Sequence, residues 1–579
     1  MSAADTLPAA FRRRVAESGH QPAVVFHDGR QYQHWDWRQL GSETSRAAAA
    51  LVRAGCVPGD HVVQLSENRR EWIVADFAIM LARCVHVPLH ATLSAAQVQA
   101  QIRDCQPRAI IVSNQDQADK LVSPQSSRSR ETSDTAGMKS HDFSYEGGLP
   151  VPAIFTHDTC NTPFRPGPDL VRLSDAAAGI PAVEADRLTA EAAAQTAPGD
   201  LATILYTSGT TGEPKGVMLS HGNLISNAAA MVEAFRHGGS DLRLGLLPWS
   251  HVFARTCDLY TWILSGATLI VANRREQILD DCAALSPTLI NAVPYFYERL
   301  HRRAAELHKL DEPGWLQALL GGRIRFCCCG GAALQRHVAE WFAAQRVPLL
   351  EGYGLSESSP VITAATPSAN RIGTVGPPLP GVEVRIAADG EIETRGPHVM
   401  LGYYRQPAAT AEVLHDGWLR TGDLGRLDAD GYLTITGRKK ELIVTAAGKN
   451  IAPTLIEGLL AADPLIHQVI IFGEGRNYLV ALIVPEPDPL RAEIFSRQIP
   501  LASREEALTH PAVLALYSER ITKRLAHLSR HEQIGRFRLI GRALSQERDE
   551  LTPTLKLRRG VIAEHFATEI AAMYEEAGK

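Results

Sequence analysis

Cysteines are scarce in this chain, and their arrangement excludes a disulfide-stapled fold. The 579 residues contain nine cysteines, an odd and irregularly spaced set. Three of them are adjacent at 327–329, where side chains on a strand would alternate between faces, which suits neither a metal chelate nor a disulfide among them. We expect small buried thiols in a reducing cytoplasm.

Long apolar runs and an excess of basic charge are also missing. The longest apolar stretch, 259–272, is shorter than the roughly 18 residues of a membrane span and is interrupted by Ser265 and Gly266. The first residues carry no apolar segment of a secretory signal, and a net charge of −5 provides no basic field for nucleic acid. We expect a cytoplasmic protein with no nucleic-acid partner and no transmembrane segment. Peripheral contact with the inner face of a membrane and a homodimer both stay open.

The composition that remains is that of an ordinary globular protein, with 45% hydrophobic and 21% charged residues. The length exceeds the size at which a single core keeps growing, so at least two domains are expected. Helical patterns alternate with extended ones along the first hundred residues, which indicates β-α-β units and a mostly parallel sheet. The predicted segments there are helices at 45–54 and 72–83 and strands at 61–65, 86–89 and 109–112.

The later segments complete a predicted α/β fold of two domains. Buried strands are predicted at 243–248, 268–272, 288–293 and 323–329, a β-rich subdomain at 373–404, strands at 468–472 and 478–484, and helices within 504–529. The polar segment 123–148 predicts an exposed insertion of the disordered type. We therefore expect a large N-terminal domain, 1–437, built from βαβ sheets and the β-rich subdomain. A smaller, mobile α+β domain is expected at 438–579.

Residues 206–216 read YTSGTTGEPKG and predict a phosphate site. They hold three glycines, four serine or threonine hydroxyls and a lysine, directly after the largely apolar run 201–205. Glycines let backbone N–H groups approach a ligand, while the hydroxyls and Lys215 add donors and positive charge. A flexible polar turn is the plainer alternative, which the density of donors and the preceding strand disfavour. The segment is not the common P-loop, because Gly212 is followed by Glu-Pro-Lys-Gly.

A second segment of similar character, EGYGLSES at 351–358, follows the apolar run 347–350. Tyr353 between two glycines can present an exposed ring suited to stacking on a base. Ser356 offers a donor for a phosphate, and Glu357 a hard oxygen ligand for Mg²⁺. The rival interpretation is the G-x-S-x-G elbow of α/β-hydrolases, but Ser358 stands where that sharp turn prefers glycine.

Three other residues indicate little when each is taken alone. Asp423 ends the segment GWLRTGD on a predicted turn, where it could accept both ribose hydroxyls. His251 lies between apolar residues, where a histidine is more often structural. Lys556 lies on an extended polar segment, LTPTLK.

The order and spacing of these segments resemble the adenylate-forming enzymes, which include acyl-CoA synthetases, adenylation domains of peptide synthetases and firefly luciferase. The resemblance runs from about residue 10 to the C-terminus, apart from 123–148. It rests on YTSGTTGEPKG, YGLSES, TGD, GRKKELIVTAAGKNIAP and LTPTLK. Within this family, the segments GRKKELIVTAAGKNIAP and WLRTGD are most similar to those of long-chain fatty acyl-CoA synthetases.

The resemblance implies ATP-dependent activation of a carboxylic acid, most like a medium- or long-chain fatty acid. The acid would pass through an acyl-adenylate to an acyl-CoA thioester, with release of AMP and pyrophosphate. It implies ATP, Mg²⁺ and coenzyme A as cofactors, and a C-terminal domain that turns between the two steps. Lys556 would meet the carboxylate and the α-phosphate, Ser356 would reach the α-phosphate, and Glu357 with Thr207 would hold the metal.

The same match implies the remaining site residues. His251 would line the site for the acid's carboxylate, and Lys440 would be the hinge. Where some relatives carry a lysine used in the thiol step, this chain has Val444, so no side chain is assigned to activating the thiol. The nucleotide-binding residues implied are Thr207, Ser208, Gly209, Thr210, Thr211, Gly212, Lys215, Gly331, Ala332, Tyr353, Gly354, Asp423 and Arg438.

Three alternatives stay open at this point. The first is a fatty acyl-AMP ligase that loads a carrier protein, and the second is a CoA ligase for aryl or short-chain acids. The third is a nucleotide-binding regulatory homologue without turnover, which Lys556 and Glu357 disfavour because chemistry needs them more than binding does.

Overall fold

The structure is a computed structural model that describes residues 5–121, 152–158, 170–207, 214–272, 275–446, 448–501, 503–551 and 557–575. The predicted insertion at 123–148 lies outside these residues. So do six of the predicted site residues, namely Ser208, Gly209, Thr210, Thr211, Gly212 and Lys556.

The first of two eight-stranded sheets carries the segments of the predicted nucleotide site. Its inner strands run parallel and each end is closed by an antiparallel pair, as the alternation of helices and strands predicts. Across the sheet the strands are Val361–Ala364, Leu349–Gly354, Phe326–Cys329, Leu289–Ala292, Leu242–Gly245, Thr268–Val271, Pro22–His27 and Tyr32–Asp36.

The second eight-stranded sheet carries the strand that leads into the predicted phosphate loop. Two antiparallel pairs form one end, and the other strands are parallel. Across the sheet the strands are Gly402–Tyr403, Lys215–Ser220, Leu201–Thr207, Val85–Leu89, His61–Leu65, Ala109–Val112, Ala153–Thr156 and Val171–Arg172. The strands predicted at 61–65 and 109–112 have the predicted bounds.

Helices cover the faces of both sheets. Trp37–Arg53 begins with a capping box, in which the Asp36 side chain accepts from the Gln39 N–H and the Gln39 side chain reaches back to Asp36. In Arg70–Leu81 every residue from 72 onward is buried, because this helix packs on all sides. The other helices here are Leu7–Ser18, Ala95–Cys105, Gln115–Asp119, Leu173–Ala178, Ala182–Gln195, His221–Phe235, Val252–Ala254, Thr261–Ser265, Ile278–Leu285, Pro294–Glu306, Trp315–Leu319, Arg336–Ala344 and Pro407–Val413.

Short helical turns interrupt these elements. Arg255–Tyr260 is a π-helix, and Arg275–Gln277 and Ser356–Ser358 are 3₁₀ turns. The longest apolar stretch of the sequence, 259–272, is therefore divided among this π-helix, a helix and a buried strand. Among the described residues, no helix combines the length and apolar character needed to cross a bilayer.

A five-stranded sheet follows, and it corrects two sequence expectations. Its strands are Glu383–Ile386, Glu391–Arg395, Trp418–Leu427, Leu414–His415 and Leu433–Arg438. Part of the predicted subdomain, Gly402–Tyr403, pairs instead with Met218 and Val217 of the second large sheet. Asp423 was predicted on a turn but lies within Trp418–Leu427, because the cross-strand pairing with Arg438 extends that strand past Gly422.

The C-terminal part is a smaller α+β unit with hydrophobic clusters of its own, drawn from residues 443–573. It contains a three-stranded sheet, whose strands are Ile466–Phe472, Leu479–Pro485 and Ile534–Leu539. A separate two-stranded sheet pairs Ile443–Val444 with Asn450–Ile451. Strand Ile534–Leu539 escaped the sequence analysis, because its alternate arginines weaken the apolar pattern. The helices are Pro453–Ala461, Pro487–Ser496, Arg504–Ala507, Pro511–Leu525, Arg559–His565 and Ala567–Glu575, with 3₁₀ turns at Lys439–Glu441 and Arg530–Glu532.

The predicted α/β fold, with a large N-terminal and a smaller C-terminal domain, is confirmed. Contacts between the parts include a hydrogen bond and an ion pair: the Gln335 side chain donates to the Ala461 carbonyl oxygen at 3.2 Å, and Arg302 lies 3.3 Å from Glu486. Eight cysteines lie in the described residues, and all eight are buried and free, as expected of small apolar side chains.

Candidate active site

The residues predicted to enclose a base lie together at the carboxyl edge of the first large sheet. Gly331 and Ala332 follow strand Phe326–Cys329, which runs parallel to the strand bearing Tyr353. Gly331 has φ +83°, which favours glycine, and both it and Ala332 are exposed. A Cβ on Gly354 would lie 1.7 Å from the Pro360 carbonyl oxygen, so the turn after Tyr353 admits only glycine.

Tyr353, Asp423 and Arg438 form one network between the first sheet and the five-stranded sheet. The Tyr353 hydroxyl donates to Asp423 Oδ2 at 2.7 Å, and Arg438 Nε donates to Asp423 Oδ1 at 2.8 Å. Burial, and then the Asp423 carboxylate, raise the pKa of Tyr353, which therefore remains a donor. The Tyr353 ring is half-buried, not exposed as predicted, because its hydroxyl is tied to Asp423. Each carboxylate oxygen keeps acceptor capacity beyond these two bonds, which suits a diol.

The pKa of Arg438 shows how firmly this pair is held. Burial lowers the pKa of the guanidinium, but the adjacent Asp423 carboxylate outweighs burial and raises it above its ordinary value. Asp423 itself is buried, its N–H donates to Thr421 Oγ1 at 3.1 Å, and its carbonyl oxygen lies 3.5 Å from the same hydroxyl. Each oxygen of the buried Asp423 side chain is therefore bonded once, Oδ2 by Tyr353 and Oδ1 by Arg438.

The predicted phosphate loop connects the two strands of a hairpin. Strand Leu201–Thr207 pairs antiparallel with Lys215–Ser220, and Thr207 lies opposite Lys215. The Thr207 hydroxyl faces the Lys215 carbonyl oxygen at 3.4 Å. A P-loop instead connects a strand to a helix, so the hairpin agrees with the failure of the P-loop pattern in the sequence.

Glu357 and Lys215 meet through a residue that the sequence analysis missed, Tyr403. The Tyr403 hydroxyl donates to Glu357 Oε1 at 2.9 Å, and the Lys215 ammonium lies 4.8 Å from the centre of the Tyr403 ring. Ser356 shares the 3₁₀ turn with Glu357. Nothing in the sequence indicated Tyr403, because its strand of two residues, Gly402–Tyr403, has no readable period.

His251 begins the short helix Val252–Ala254, and its Nδ1 accepts from the Phe253 N–H at 3.2 Å. Its ring lies 6.3 Å from that of His90, which bonds Ser250 Oγ through Nδ1 at 2.7 Å. Burial lowers the pKa of His90 to about 4, so the ring is neutral at neutral pH. A Cβ on Gly330 would lie 3.4 Å from the Phe253 ring, so the helix that His251 begins adjoins the sheet edge that bears Gly331.

Lys440 lies in the exposed turn Lys439–Glu441, next to residues that link it to the Asp423 network. Glu391 accepts from the Gly422 N–H at 2.9 Å and from Lys439 Nζ at 3.0 Å. The Glu391 carboxylate thus bonds both Gly422, which precedes Asp423, and Lys439, which precedes the predicted hinge. Sequence analysis missed Glu391 as well, since its alternating strand pattern gave no sign of these partners.

Comparisons with known proteins identify the family of this chain. The family described as AMP-binding enzyme matches residues 11–404, and the AMP-binding enzyme C-terminal domain matches 440–578. The long-chain-fatty-acid–CoA ligase FadD15 of Mycobacterium bovis is 33% identical and aligns with 93% of this chain and 92% of its own length. The peroxisomal long chain acyl-CoA synthetase 6 of Arabidopsis thaliana is 31% identical over 94% of this chain and 82% of its own.

Solved structures share the fold over nearly the whole chain. ATP-bound MatB from Rhodopseudomonas palustris has a TM-score of 0.72 at 25% identity and covers 96% of this chain and 99% of its own. The anthranilate CoA ligase AuaEII in complex with anthranoyl-AMP has a TM-score of 0.75 at 20% identity, a likeness of fold alone, covering 100% and 99%. The family match spans well over half of the sequence, so this chain belongs to the AMP-binding enzymes.

Proposed function

We propose that the protein is an AMP-forming long-chain fatty acid–CoA ligase. The observation that carries the proposal is the arrangement around Leu349–Ser358. One end of this segment supplies Tyr353 to the Asp423–Arg438 network, and the other supplies Glu357 to the cluster with Tyr403 and Lys215. Tyr353, which we place at the nucleoside, and Glu357, which we place at the phosphates, are thus only four residues apart in the chain. The relatives of 33% and 31% identity, both named for long-chain acids, support the acid class.

The first step joins two anions, so the site must neutralise charge and align the reacting groups. We assign Asp423 and Arg438 to the ribose and Gly331, Ala332, Tyr353 and Gly354 to the base. Thr207 to Gly212 and Lys215 are assigned to the phosphates, with Ser356 at the α-phosphate. Lys556 would bridge the carboxylate and the α-phosphate. His251, at the start of its helix, would lie against the acid's carboxylate.

The donor set around Glu357 fits Mg²⁺. Its carboxylate is a hard oxygen ligand oriented by Tyr403, and Thr207 offers a hydroxyl. Among the described residues, no three His, Cys, Asp or Glu side chains gather into a metal site, so phosphate and water oxygens would complete the shell. When bound, Mg²⁺ neutralises charge that develops on the phosphates.

We propose that the turn Lys439–Glu441 joins two domains, the first ending with strand Leu433–Arg438, and that Lys440 is the hinge. Rotation there would remove Lys556 after adenylate formation and admit the thiol of coenzyme A. Val444 leaves the thiol step without a lysine at that position, so thioester formation would depend on the reactivity of the mixed anhydride.

The test is an AMP-release assay with ATP, Mg²⁺ and acids of two to about twenty carbons, run with and without coenzyme A. We expect acyl-CoA from long-chain acids, as measured by mass spectrometry. Aryl or short-chain acids as the best substrates would reassign the acid class. An adenylate that accumulates and is not passed to coenzyme A would indicate a ligase for a carrier protein.

Lys556→Ala tests the assignment of the catalytic lysine. We expect ATP–pyrophosphate exchange to fall by more than about 100-fold, because several kcal/mol of transition-state stabilisation are lost and each 1.36 kcal/mol changes the rate tenfold. Lys523→Ala, on the helix Pro511–Leu525, is the matched control. Exchange within about tenfold of wild type would remove Lys556 from this role.

A further inference from the structure

A fully buried charged network joins the two halves of the proposed site. Arg255 Nη2 lies 2.5 Å from Asp76 Oδ1, and both side chains are almost completely inaccessible. Arg255 Nη1 donates to Thr203 Oγ1 at 2.8 Å, and Thr203 Oγ1 donates to the His86 carbonyl oxygen at 2.6 Å. His86 Nδ1 also lies 2.6 Å from Asp76 Oδ1.

The partners of this network come from elements that lead directly into the site. Thr203 lies on strand Leu201–Thr207, which ends at the predicted phosphate loop. Arg255 follows the helix that His251 begins, and its N–H donates to the His251 carbonyl oxygen at 3.0 Å. The network therefore connects the phosphate side of the site with the acid side through one guanidinium.

Local backbone geometry also distinguishes this position. Arg255 begins the π-helix Arg255–Tyr260, and the Tyr260 hydroxyl donates to Asp76 Oδ2 at 3.4 Å. π-helical turns are rare and occur frequently at functional sites. The Arg255 guanidinium also lies 5.6 Å from the Tyr260 ring centre and 5.8 Å from that of Trp72.

Stability alone is a poor explanation for such a pair. Two charges are desolvated to form it, and apolar side chains of similar volume often stabilise a core as well or better. What a planar guanidinium adds is fixed geometry, since its nitrogens hold Asp76 and Thr203 at set angles.

We propose that Arg255, with Asp76 and Thr203, is a positioning residue for adenylation. It holds the segment that begins at His251 in register with the strand that leads into the phosphate loop. The acid's carboxylate is thereby aligned with the α-phosphate. This inference rests on the proposed function, and it assigns no contact with substrate to any of the three residues. Misplacement by about 1 Å can slow an aligned reaction about 100-fold.

The first test compares Thr203→Val with Thr203→Ser. Valine keeps the shape but removes the hydroxyl that accepts from Arg255, whereas serine keeps that hydroxyl. We expect Thr203→Val to lower kcat of ATP–pyrophosphate exchange about tenfold or more, with KM for ATP within about threefold of wild type. Thr203→Ser is expected to stay close to wild type. Equal kcat values for the two variants would overturn the proposal.

A second test separates positioning from stability. Asp76→Asn combined with Arg255→Met removes both charges, so no charge of this pair is left buried without its partner. We expect a thermal midpoint near that of wild type, with exchange still reduced about tenfold or more. Wild-type kcat in this folded double variant would overturn the proposal. If the double variant does not fold, the comparison of Thr203→Val with Thr203→Ser tests the proposal by itself.

Two controls complete the design. Asp463→Asn removes a buried carboxylate bonded to Arg520 in the C-terminal unit, and it should leave KM and kcat of exchange unchanged. Wild-type protein assayed in parallel distinguishes a failure of the proposed function from a failure of the positioning role. No exchange with any acid would contradict the proposed function, whereas normal wild-type exchange with unaffected variants would contradict only the positioning role.

Discussion

At the scale of single residues, Tyr403 is the contact on which the proposed metal site depends. Its hydroxyl donates to Glu357 Oε1, and its ring lies under the Lys215 ammonium. The backbone reinforces the arrangement, because the Met400 N–H donates to the Glu357 carbonyl oxygen at 2.9 Å. A ligand carboxylate held in this way presents its second oxygen in one direction, as outer partners of metal ligands generally do.

Tyr403→Phe should therefore weaken the response to Mg²⁺ while leaving the ring beneath Lys215. We expect the Mg²⁺ concentration for half-maximal ATP–pyrophosphate exchange to rise about tenfold, since losing an outer partner costs about 10- to 100-fold in metal affinity. Titration of exchange activity with Mg²⁺ measures the effect. Tyr404→Phe is the matched control, because the Tyr404 ring packs against His61 instead. An unchanged titration curve for Tyr403→Phe would show that this hydroxyl does not orient a metal ligand.

At the scale of elements, the turn Lys439–Glu441 is held at one end and exposed in the middle. Lys439 Nζ bonds Asp389 at 2.6 Å and Glu391 at 3.0 Å, which ties the start of the turn to the five-stranded sheet. Lys440 is exposed, and beyond it begins the short pair Ile443–Val444 with Asn450–Ile451. A backbone rotation at Lys440 would thus leave the Asp423 network in place while the C-terminal unit moves.

Lys440→Pro tests this hinge, because proline fixes φ near −65° and removes the N–H. We expect one half-reaction, adenylation or thioester formation from supplied acyl-adenylate, to fall by at least about tenfold, while the other stays within about threefold. Lys440→Ala, which keeps a free backbone, should support both. Equal losses in the two half-reactions of Lys440→Pro would argue against a rotation at this residue.

At the scale of the whole molecule, buried histidines make stability depend on pH. Burial is the largest cause in each case and lowers the pKa from 6.5 to about 4, so these rings are neutral in the folded protein. They are His86, His90, His157, His221 and His398. Below pH 6.5 the unfolded chain binds protons at these histidines and the folded chain does not. The free energy of unfolding therefore decreases as pH is lowered from 6.5 to about 4.

A carboxylate paired with arginines, such as Glu71, loses its proton in a lower pH window. Burial raises the pKa of Glu71, but Arg69 and Arg70 outweigh it and hold that pKa at about 2. A depressed carboxylate pKa contributes stability that is complete above the ordinary value of 4.5 and is lost as pH falls towards 2. Two buried carboxylates act oppositely between pH 7 and 5, because burial raises the pKa of Asp258 and of Glu351 to about 7 and the folded state therefore binds their protons more tightly. The five histidines outnumber these two groups, so the net stability still falls as pH falls from 7 to 5.

We expect the thermal midpoint to fall from pH 7 to pH 5, as measured by circular dichroism in buffers of equal ionic strength. Each buried histidine contributes up to about 1.4 kcal/mol per pH unit once pH is well below 6.5. His398→Gln removes one titrating ring while keeping a hydrogen-bonding group beside Thr394, and it should make the decline shallower. A midpoint that rises from pH 7 to 5 would contradict this account.

Local patterns predicted most of the elements, and the misses have a common physical cause. The strands at 61–65 and 109–112 have their predicted bounds, because each is a short, largely apolar run. Asp423 was misplaced on a turn, since Thr-Gly-Asp has turn composition while the pairing with Arg438 comes from another strand. Strand Ile534–Leu539 was missed because its alternate arginines weaken the apolar pattern, while its pairing partner Leu479–Pro485 lies about fifty residues earlier in the chain.

The sequence by itself determined the α/β fold, the strand that directly precedes the glycine-rich segment, and the family to which the ordered motifs belong. Those features depend on residue type and spacing, which a linear chain displays directly. Only the tertiary structure decided that Tyr403 lies between Glu357 and Lys215, and that Arg255 joins Asp76 to Thr203. These partners are far apart in the chain, and their contacts arise when two sheets and the helices between them pack into one interior.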